Sequence, residues 1–382
     1  MKNGNQKEQE IRIAVFGESG CGKTTLLSSF YSKQRSYAQD QEKDYYLLAD
    51  DASQGRGLLR DFYRMKDEGL FPEGTDRFSE YSFSFFVSNF EEPSLKIRWY
   101  DYPGKWWTNT PSDTEELADQ RKCLSCLLES HIGLLIVDGQ KFLENGGAYI
   151  RTLFAQFFDE IKRQKQEINR RGMEVQNYPD QWIIALSKAD LFPENYSAED
   201  FQSQIIKEAH GSCKNLAEFL KGGQVTGQSN YKSYQFGSQY LLLSSAKARN
   251  GIIKDSSETL GLELIVPMTL NSSLRKVAEE APKGALLGIA GGFLASISSL
   301  INLINKSDDF LPKKYQLITQ LLDIIKVEEI SKEGAGYMKR RQDEMIKKGR
   351  KIEAAVYAMQ RELKRDNSKR LFYCDQIIRI DI

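Results

Sequence analysis

The sequence predicts an α/β fold: a doubly wound sheet with helices on both faces, followed by a mostly helical C-terminal extension. Two observations predict this class. Short apolar runs rich in β-branched and aromatic residues alternate with helical patterns between residue 11 and about residue 280. Most of these runs are too continuously apolar for a sheet with one face in water, which is typical of strands that helices cover on both sides.

Six segments are predicted to be strands. Residues 81–88 alternate apolar and polar side chains and are predicted to form an antiparallel strand at the edge of the sheet. Helical patterns at 149–167 and 198–221 fill two of the long intervals and are predicted to elaborate the same domain. The predicted strands span residues 11–16, 81–88, 95–101, 132–138, 181–186 and 239–244.

Composition and charge argue against a nucleic-acid-binding protein and against a secreted, disulfide-rich one. The 382 residues include 53 Lys and Arg and 53 Asp and Glu, so the formal net charge is zero. A neutral chain has no overall electrostatic footprint for nucleic acid, which makes a nucleic-acid partner unexpected. The five cysteines are scattered, unlike a secreted disulfide framework, and the polar first ten residues contain no signal peptide. We therefore expect a cytoplasmic protein whose residues 1–10 form a flexible tail.

A phosphate-binding motif follows the first predicted strand. Residues 17–24 read GESGCGKT, which matches the Walker A pattern GxxxxGK[ST] and lies between a strand and a helical pattern, as this motif requires. Small residues let backbone N–H groups point at phosphates, and the following helix presents its positive end to the same anion. Lys23 is predicted to reach the β- and γ-phosphates and Thr24 to bind Mg²⁺. The candidate nucleotide-binding residues here are Gly17, Glu18, Ser19, Gly20, Cys21, Gly22, Lys23, Thr24 and Thr25.

A second motif, DYPG, ends the strand predicted at 95–101. Asp101 is predicted to hold the water shell of Mg²⁺, and the Gly104 amide to sense the γ-phosphate. Thr75 lies just ahead of the predicted edge strand and is the candidate hydroxyl that closes over Mg²⁺ in the triphosphate state. The alternative for Thr75, an ordinary turn threonine, stays open. The candidate catalytic residues are Lys23, Thr75, Asp101 and Gly104, and the candidate metal ligands are Thr24, Thr75 and Asp101.

Two further motifs at strand ends indicate the base. Residues 186–190 read LSKAD, which is similar to the guanine-reading pattern [NT]KxD with Ser187 in place of the usual Asn or Thr. Asp190 is predicted to accept hydrogen bonds from the guanine N1 and N2 positions, a donor pattern that adenine lacks, and Lys188 to lie along the base. An SAK-like turn formed by Ser245, Ala246 and Lys247 is predicted to offer a backbone N–H to guanine O6. Because four short motifs occur in one order at strand ends, GTP is favoured over ATP.

The motifs GESGCGKT, DYPG, SKAD and SSAK in residues 11–250 resemble those of the translation-factor-related (TRAFAC-type) P-loop GTPases, and DYPGKWW is similar to a stretch of the YcjX-like bacterial GTPases. The resemblance implies a P-loop NTPase sheet and a Mg-GTP switch whose loops around Thr75 and residues 102–107 reorder on hydrolysis. Lys105 departs from the Ras-like pattern, in which a Gln or His often orients the attacking water. We therefore expect slow intrinsic hydrolysis, with the missing group supplied by another loop, a second protomer or a partner. Internal candidates for an assisting arginine are Arg56, Arg60 and Arg77.

The composition changes after the last predicted strand and places a domain boundary near residue 280, so that residues 11–280 form the predicted GTPase domain. Residues 284–305 carry no charge and are long enough to cross a bilayer. Two alternatives stay open for them: a helix associated with the inner face of a membrane, and a helix docked on the GTPase domain. Residues 313–382 are highly charged with apolar side chains at helix spacing, and they are predicted to be mostly helical.

The main functional hypothesis is a Mg²⁺-dependent switch that binds GTP and hydrolyses it to GDP, acting through a protein partner, self-association or a membrane. A P-loop ATPase and a nucleotide-dependent scaffold that binds GTP with little hydrolysis are the alternatives. Cys123 and Cys126 superficially suggest a metal site. Because the sequence has no second Cys or His pair at zinc spacing, two half-buried helix cysteines are the favoured interpretation.

Overall fold

The computed structural model describes residues 10–38, 43, 45–87, 91–93, 95–107, 113–170, 179, 181–222, 235–249, 252–255, 259–267 and 370–373. The strands in this part of the chain are β1 (Glu10–Phe16), β2 (Tyr45–Ala49), β3 (Ser79–Val87), β4 (Leu95–Asp101), β5 (Ile132–Asp138), β6 (Gln181–Ser187), β7 (Gln235–Leu242), β8 (Lys247–Arg249), β9 (Ile252–Asp255) and β10 (Leu371–Tyr373). The helices are α1 (Lys23–Tyr37), α2 (Ala52–Tyr63), α3 (Thr114–Leu128), α4 (Gly139–Arg170) and α5 (Ala198–Gly222). A short helical turn also spans residues 262–267.

Eight strands form one mixed sheet in the order β10-β7-β6-β5-β1-β4-β3-β2. The central strands β7, β6, β5, β1 and β4 are parallel, whereas β3 is antiparallel to both of its neighbours and β10 is antiparallel to β7. Strand β1 pairs with β4 on one side and β5 on the other, so the direction of winding reverses there. In open α/β sheets, ligands bind outside the carboxyl ends of strands at such a reversal.

Helices cover both faces of the sheet, as the continuous apolar strands predict. On one face, α3, α4 and α5 pack on side chains that include Phe16 and Trp182. On the other face, α1, α2 and the turn at 262–267 pack on side chains that include Val15 and Leu134. Because neighbouring residues of a strand point to opposite faces, Val15 and Phe16 belong to different cores. The predicted doubly wound α/β class is thereby confirmed.

All six predicted strands are present, but the prediction of the sheet edge was wrong. Residues 81–87 fall within β3, and residue 88 lies outside the described residues. Strand β3 is antiparallel as expected and yet is not at the edge, because β2 pairs along its outer side. Strand β2 was not predicted, because its sequence YYLLA has only five residues and gives a weak strand pattern. At the opposite edge, β10 pairs with β7, and a strand so far along the chain was not expected in a region predicted to be mostly helical.

The predicted helices at 149–167 and 198–221 lie within α4 and α5. Helix α4 starts ten residues before its predicted segment, and its backbone breaks at Gly146, where φ is 54°. The tail at 1–10, apart from Glu10 in β1, and the segment 284–305 lie outside the described residues, as does most of 313–382. Within the part of the chain that is described, no helix is long and apolar enough to span a bilayer.

Candidate functional site

The phosphate-loop motif connects β1 to α1 at the reversal point of the sheet. Gly20 and Gly22 have φ values of 80° and 93°, a left-handed conformation that glycine adopts without steric cost. A Cβ at either position would meet no atom within 4 Å, so the loop opens toward free space. Gly22 is also the N-cap of α1, and no side chain in the described residues caps this helix end. The first-turn N–H groups and the helix dipole therefore favour an anion in the loop.

Lys23 lies across this loop. Its side chain is buried, and Nζ donates to Gly17 O at 2.8 Å and to Glu18 O at 3.1 Å. The ammonium also lies 5.1 Å from the centre of the Tyr102 ring, whose hydroxyl accepts a hydrogen bond from Gly17 N at 3.1 Å. The carbonyls and the ring hold a positive charge beside the glycine turn, where it can balance a polyanion.

Three oxygen-bearing side chains from separate segments meet beside Lys23. Thr24 Oγ1 lies 2.6 Å from Thr75 Oγ1 and donates to Asp101 Oδ2 at 3.2 Å, and Thr75 Oγ1 donates to the same oxygen at 2.9 Å. Mg²⁺ prefers such oxygen ligands, and adjacent ligands at a metal–oxygen distance of about 2.1 Å lie about 3 Å apart. The donor set and its spacing therefore fit Mg²⁺. Thr75 therefore contacts both Thr24 and Asp101.

The carboxylate of Asp101 has no exposed surface. Burial raises the pKa of Asp101 above its ordinary value, although the charge of Lys23 and the hydroxyls of Thr75 and Thr24 act in the opposite direction. A bound cation would compensate the desolvation of this buried carboxylate, whereas the charge of Lys23 opposes a second cation unless an anion such as phosphate lies between them.

Gly104 brings the DYPG loop against the phosphate loop. A Cβ on Gly104 would lie 2.4 Å from Ser19 N and 2.5 Å from Ser19 Cα, so only glycine permits this approach. The next residue, Lys105, is exposed, and its Nζ lies 3.4 Å from Glu116 Oε1. The Trp106 side chain is buried and donates to the same carboxylate at 2.9 Å.

The predicted base-reading residues lie at the ends of β6 and β7. Lys188 has a φ of 52°, the left-handed conformation, and Asp190 follows in a short 3₁₀ turn. Asp190 Oδ1 accepts a hydrogen bond from Ser244 Oγ at 2.7 Å, and Ser244 Oγ lies 2.9 Å from Ala246 O. Ala189 N also donates to Leu243 O at 3.0 Å. These bonds join the SKAD and SSAK segments into one polar turn.

The SSAK segment contains two serines, of which the sequence prediction included Ser245 and omitted Ser244. Ser245, Ala246 and Lys247 were the predicted residues, yet it is Ser244 that orients Asp190. Ala246 is buried and Lys247 is exposed. Since both serines follow a buried strand, the sequence gives no sign of which hydroxyl faces Asp190.

Two charged residues beside the site were also missed. Asp138 is buried at the end of β5 and pairs with Lys188 Nζ at 2.8 Å, and Lys141 pairs with Glu18 Oε2 at 2.7 Å. The rule that selected Asp101, a polar residue directly after an apolar strand, would have selected Asp138 as well. Nothing in the sequence marks Lys141.

The other candidates lie apart from this cluster. Arg56, Arg60 and Arg77 are exposed, and Arg60 Nε lies 3.7 Å from Asp61. Cys123 is buried and Cys126 is half-buried on α3, and burial raises the pKa of both thiols. Among the described residues, no group of three or more His, Cys, Asp and Glu could hold a metal ion.

Comparisons with known proteins give matches only among solved structures. No protein-family model matches the chain, and neither does any curated protein. The S. cerevisiae Ski7 GTPase-like domain bound to GTP is similar at 12% identity and a TM-score of 0.30 over 70% of this chain and 50% of that one. Methanosarcina barkeri Roco2 RocCORdC bound to GDP is similar at 12% identity and a TM-score of 0.26 over 74% of this chain and 60% of that one. The chain thus spans about half the length of the first structure.

Proposed function

We propose that this protein binds GTP with Mg²⁺ and hydrolyses it to GDP, acting as a switch of the TRAFAC type. The observation that carries the proposal is the meeting of Thr24, Thr75 and Asp101 beside the Lys23 ammonium. Each of the three comes from a different segment of the chain, and hydroxyl and carboxylate oxygens are the ligands that Mg²⁺ prefers. The finer resemblance to YcjX-like GTPases stays a prediction.

The phosphates would lie in the loop between Gly17 and Thr24. The glycine turn and the uncapped first turn of α1 supply backbone donors, and Lys23 supplies a charge directed at the β- and γ-phosphates. The Gly104 backbone, pressed against Ser19, is positioned to respond to a third phosphate. When bound, Mg²⁺ would neutralise charge on the phosphates, and Thr24, Thr75 and Asp101 would hold it.

The base would lie against Lys188 and Asp190. The Asp190 carboxylate accepts a hydrogen bond from Ser244, which orients it, and the two oxygens of a carboxylate match the two adjacent N–H groups of guanine. Adenine offers no such pair of donors, and so the ATPase alternative is disfavoured. Ala246 and Lys247 follow β7, with Lys247 at the start of β8, and a backbone N–H of this segment would donate to guanine O6.

Hydrolysis is proposed to be slow in the isolated protein. Lys105 stands where a water-positioning residue is common, and its ammonium is paired with Glu116. A partner, or a second copy of the chain, would supply the missing group and raise the rate by about 10³- to 10⁵-fold. The same position of Lys105 also supports the alternative of a scaffold that binds GTP with little hydrolysis. Measuring phosphate release with and without partners distinguishes this scaffold from an active hydrolase. We propose that the protein is cytoplasmic. Membrane fractionation of the full chain tests whether residues 284–305 associate with a membrane.

Base recognition offers the sharpest test. Asp190→Asn replaces one acceptor with a donor, so GTP affinity is expected to fall at least 10-fold. Xanthosine triphosphate, which carries a carbonyl in place of the 2-amino group, should bind this variant better than the unaltered protein. Calorimetric titration with GTP, ATP and xanthosine triphosphate measures all three affinities. Undiminished GTP binding by the variant would overturn the base assignment, and preference of the unaltered protein for ATP would overturn GTP itself.

A further inference from the structure

The hydroxyl of Ser187 forms its hydrogen bond within the sheet. Ser187 stands where the guanine-reading motif usually has Asn or Thr, and its Oγ donates to Val137 O of the neighbouring strand β5 at 3.2 Å. This hydrogen bond is buried and lies within the sheet. The side chain thus ties the base-reading segment to β5 and not to the loop that binds phosphate.

Two ion pairs connect the base-reading segment to the phosphate loop by another route. Lys188 Nζ lies 2.8 Å from Asp138 Oδ2, and the Asp138 side chain is only 2% exposed. Three residues later, Lys141 Nζ lies 2.7 Å from Glu18 Oε2. Glu18 is the second residue of the phosphate-loop motif, and its side chain is 17% exposed. We name Lys188, Asp138, Lys141 and Glu18 the ion-pair relay.

The middle of the relay is held rigidly. Asp138 Oδ1 accepts hydrogen bonds from Gln140 N at 3.0 Å and Lys141 N at 3.4 Å, so one carboxylate caps the start of α4 and pairs with Lys188. Gly139 allows α4 to begin against β6, because a Cβ there would lie 2.3 Å from Ser187 O. Contacts therefore run without a break from Lys188 through Asp138 to the backbone of Lys141.

The charges of the relay are matched and satisfied. Partial burial by itself would lower the pKa of Lys141, but the hydrogen bond and charge of Glu18, together with the charge of Asp138, raise it above its ordinary value. The two carboxylates balance the two ammonium groups. An ion-pair network of this kind restricts side-chain geometry more than an isolated surface pair does.

We propose that the ion-pair relay positions the base-reading turn relative to the phosphate loop, and that it thereby contributes to selectivity for the guanine base. This inference rests on the proposed function. A nucleotide touches both loops at once, so it binds more tightly when the protein has already fixed their separation. Lys141 is a positioning residue in this scheme, since it acts through Glu18 and Asp138.

Lys141→Met tests the relay, because it removes the charge but keeps the length of a side chain that is 41% exposed. We expect GDP affinity to fall about tenfold, within the usual range of coupling between contacting residues. Inosine diphosphate lacks the 2-amino group and offers Asp190 one fewer hydrogen-bond donor. Misplacement of Asp190 should therefore weaken the binding of inosine diphosphate less than the binding of GDP. The ratio of GDP to inosine diphosphate affinity should therefore fall as well. Lys141→Arg should retain both values, and Lys162→Met, exposed further along α4, is the matched control.

A double variant tests whether the pair acts as a unit. If Glu18 and Lys141 act only through each other, Glu18→Gln combined with Lys141→Met should bind GDP no more weakly than the weaker single variant. If the affinity losses of the two single variants multiply in the double variant, Lys141 does not act through Glu18. If Lys141→Met weakens GDP and inosine diphosphate equally, Lys141 acts on the phosphates directly, and either result would overturn the relay. GDP binding that Lys141→Met leaves intact contradicts this inference alone. Absence of GDP binding by the unaltered protein contradicts the proposed function as well.

Discussion

Asp101 is the residue at which stability and proposed function conflict. Its carboxylate is fully buried, and burial raises its pKa above the ordinary value of 3.8. A carboxyl group whose pKa is higher in the folded state binds its proton more tightly there than in the unfolded chain. The charged form at neutral pH therefore costs stability, and that cost is relieved as the pH falls.

We predict that Asp101→Asn separates these two properties. The ligand-free variant should melt at the same temperature as the unaltered protein or higher, because a buried charge is removed while a similar shape is kept. The enhancement of GTP binding by Mg²⁺ should fall at least 10-fold. Thermal melting and titrations with and without Mg²⁺ measure both effects. A variant that melts lower and still responds fully to Mg²⁺ would contradict the prediction on both counts.

Much of the site follows from single residues placed at strand ends. Lys23 and Thr24 were predicted from the Walker A pattern, and Asp101 and Asp190 from motifs at the ends of buried strands, which lie at the carboxyl edge of a parallel sheet. Ser244 was missed for a physical reason, because its role depends on the direction of one hydroxyl within a turn. Lys141 was missed because its partner Glu18 is distant in sequence, and a surface lysine has no pattern of its own.

At the scale of elements, the DYPG loop depends on one glycine. The hydroxyl of Tyr102 accepts from Gly17 N, and Gly104 lies against Ser19, so this loop touches the phosphate loop at two points. Trp106 then packs in the core beside α3. These contacts make the loop sensitive to small changes in the phosphate loop.

We predict that Gly104→Ala weakens GTP binding at least 10-fold and GDP binding much less. The added Cβ would lie 2.4 Å from Ser19 N, so the loop must move away from the position of the third phosphate. Gly57→Ala is the control, because a Cβ there meets no atom within 4 Å and Gly57 lies inside α2. This control should stabilise the protein by about 0.5 to 1 kcal/mol. Equal losses of GTP and GDP affinity in Gly104→Ala would contradict a role in sensing the third phosphate.

The strands illustrate what sequence patterns can specify. Long apolar runs such as β5 and β6 were predicted within a residue or so, because burial on both faces leaves a continuous signal. The edge strands β2 and β10 were not predicted. An edge strand has one partner and is often short, and β10 forms only through a pairing with β7 that no local pattern records.

At the scale of the whole molecule, Glu263 joins three distant parts of the chain. Its Oε2 accepts from Lys33 Nζ of α1 at 2.6 Å, and its Oε1 accepts from Arg370 Nη1 at 2.8 Å. Although burial opposes the charge, Lys33 and Arg370 lower the pKa of Glu263 below its ordinary value of 4.5. Because the folded pKa is the lower one, this carboxylate adds stability above pH 4.5, and the contribution is lost as the pH falls through the folded pKa.

We predict that Glu263→Gln lowers the free energy of unfolding by about 1 to 3 kcal/mol at pH 7, since two charged hydrogen bonds are weakened. The difference between the variant and the unaltered protein should shrink as the pH falls below 4.5. Denaturant unfolding across this range measures it. A difference that stays constant with pH would show that the charge of Glu263 is not responsible.

The pairing of β10 with β7 has a topological consequence. Leu242 N donates to Arg370 O at 2.9 Å, and the chain passes from β7 directly into the turn that orients Asp190. The described part of the chain therefore ends at residue 267 and resumes in the same sheet at residue 370. Both of these ends touch the base-reading turn, one through the bridge between Leu260 and Ser244 and the other through the pairing of Arg370 with Leu242, so a pull on either end would reach that turn.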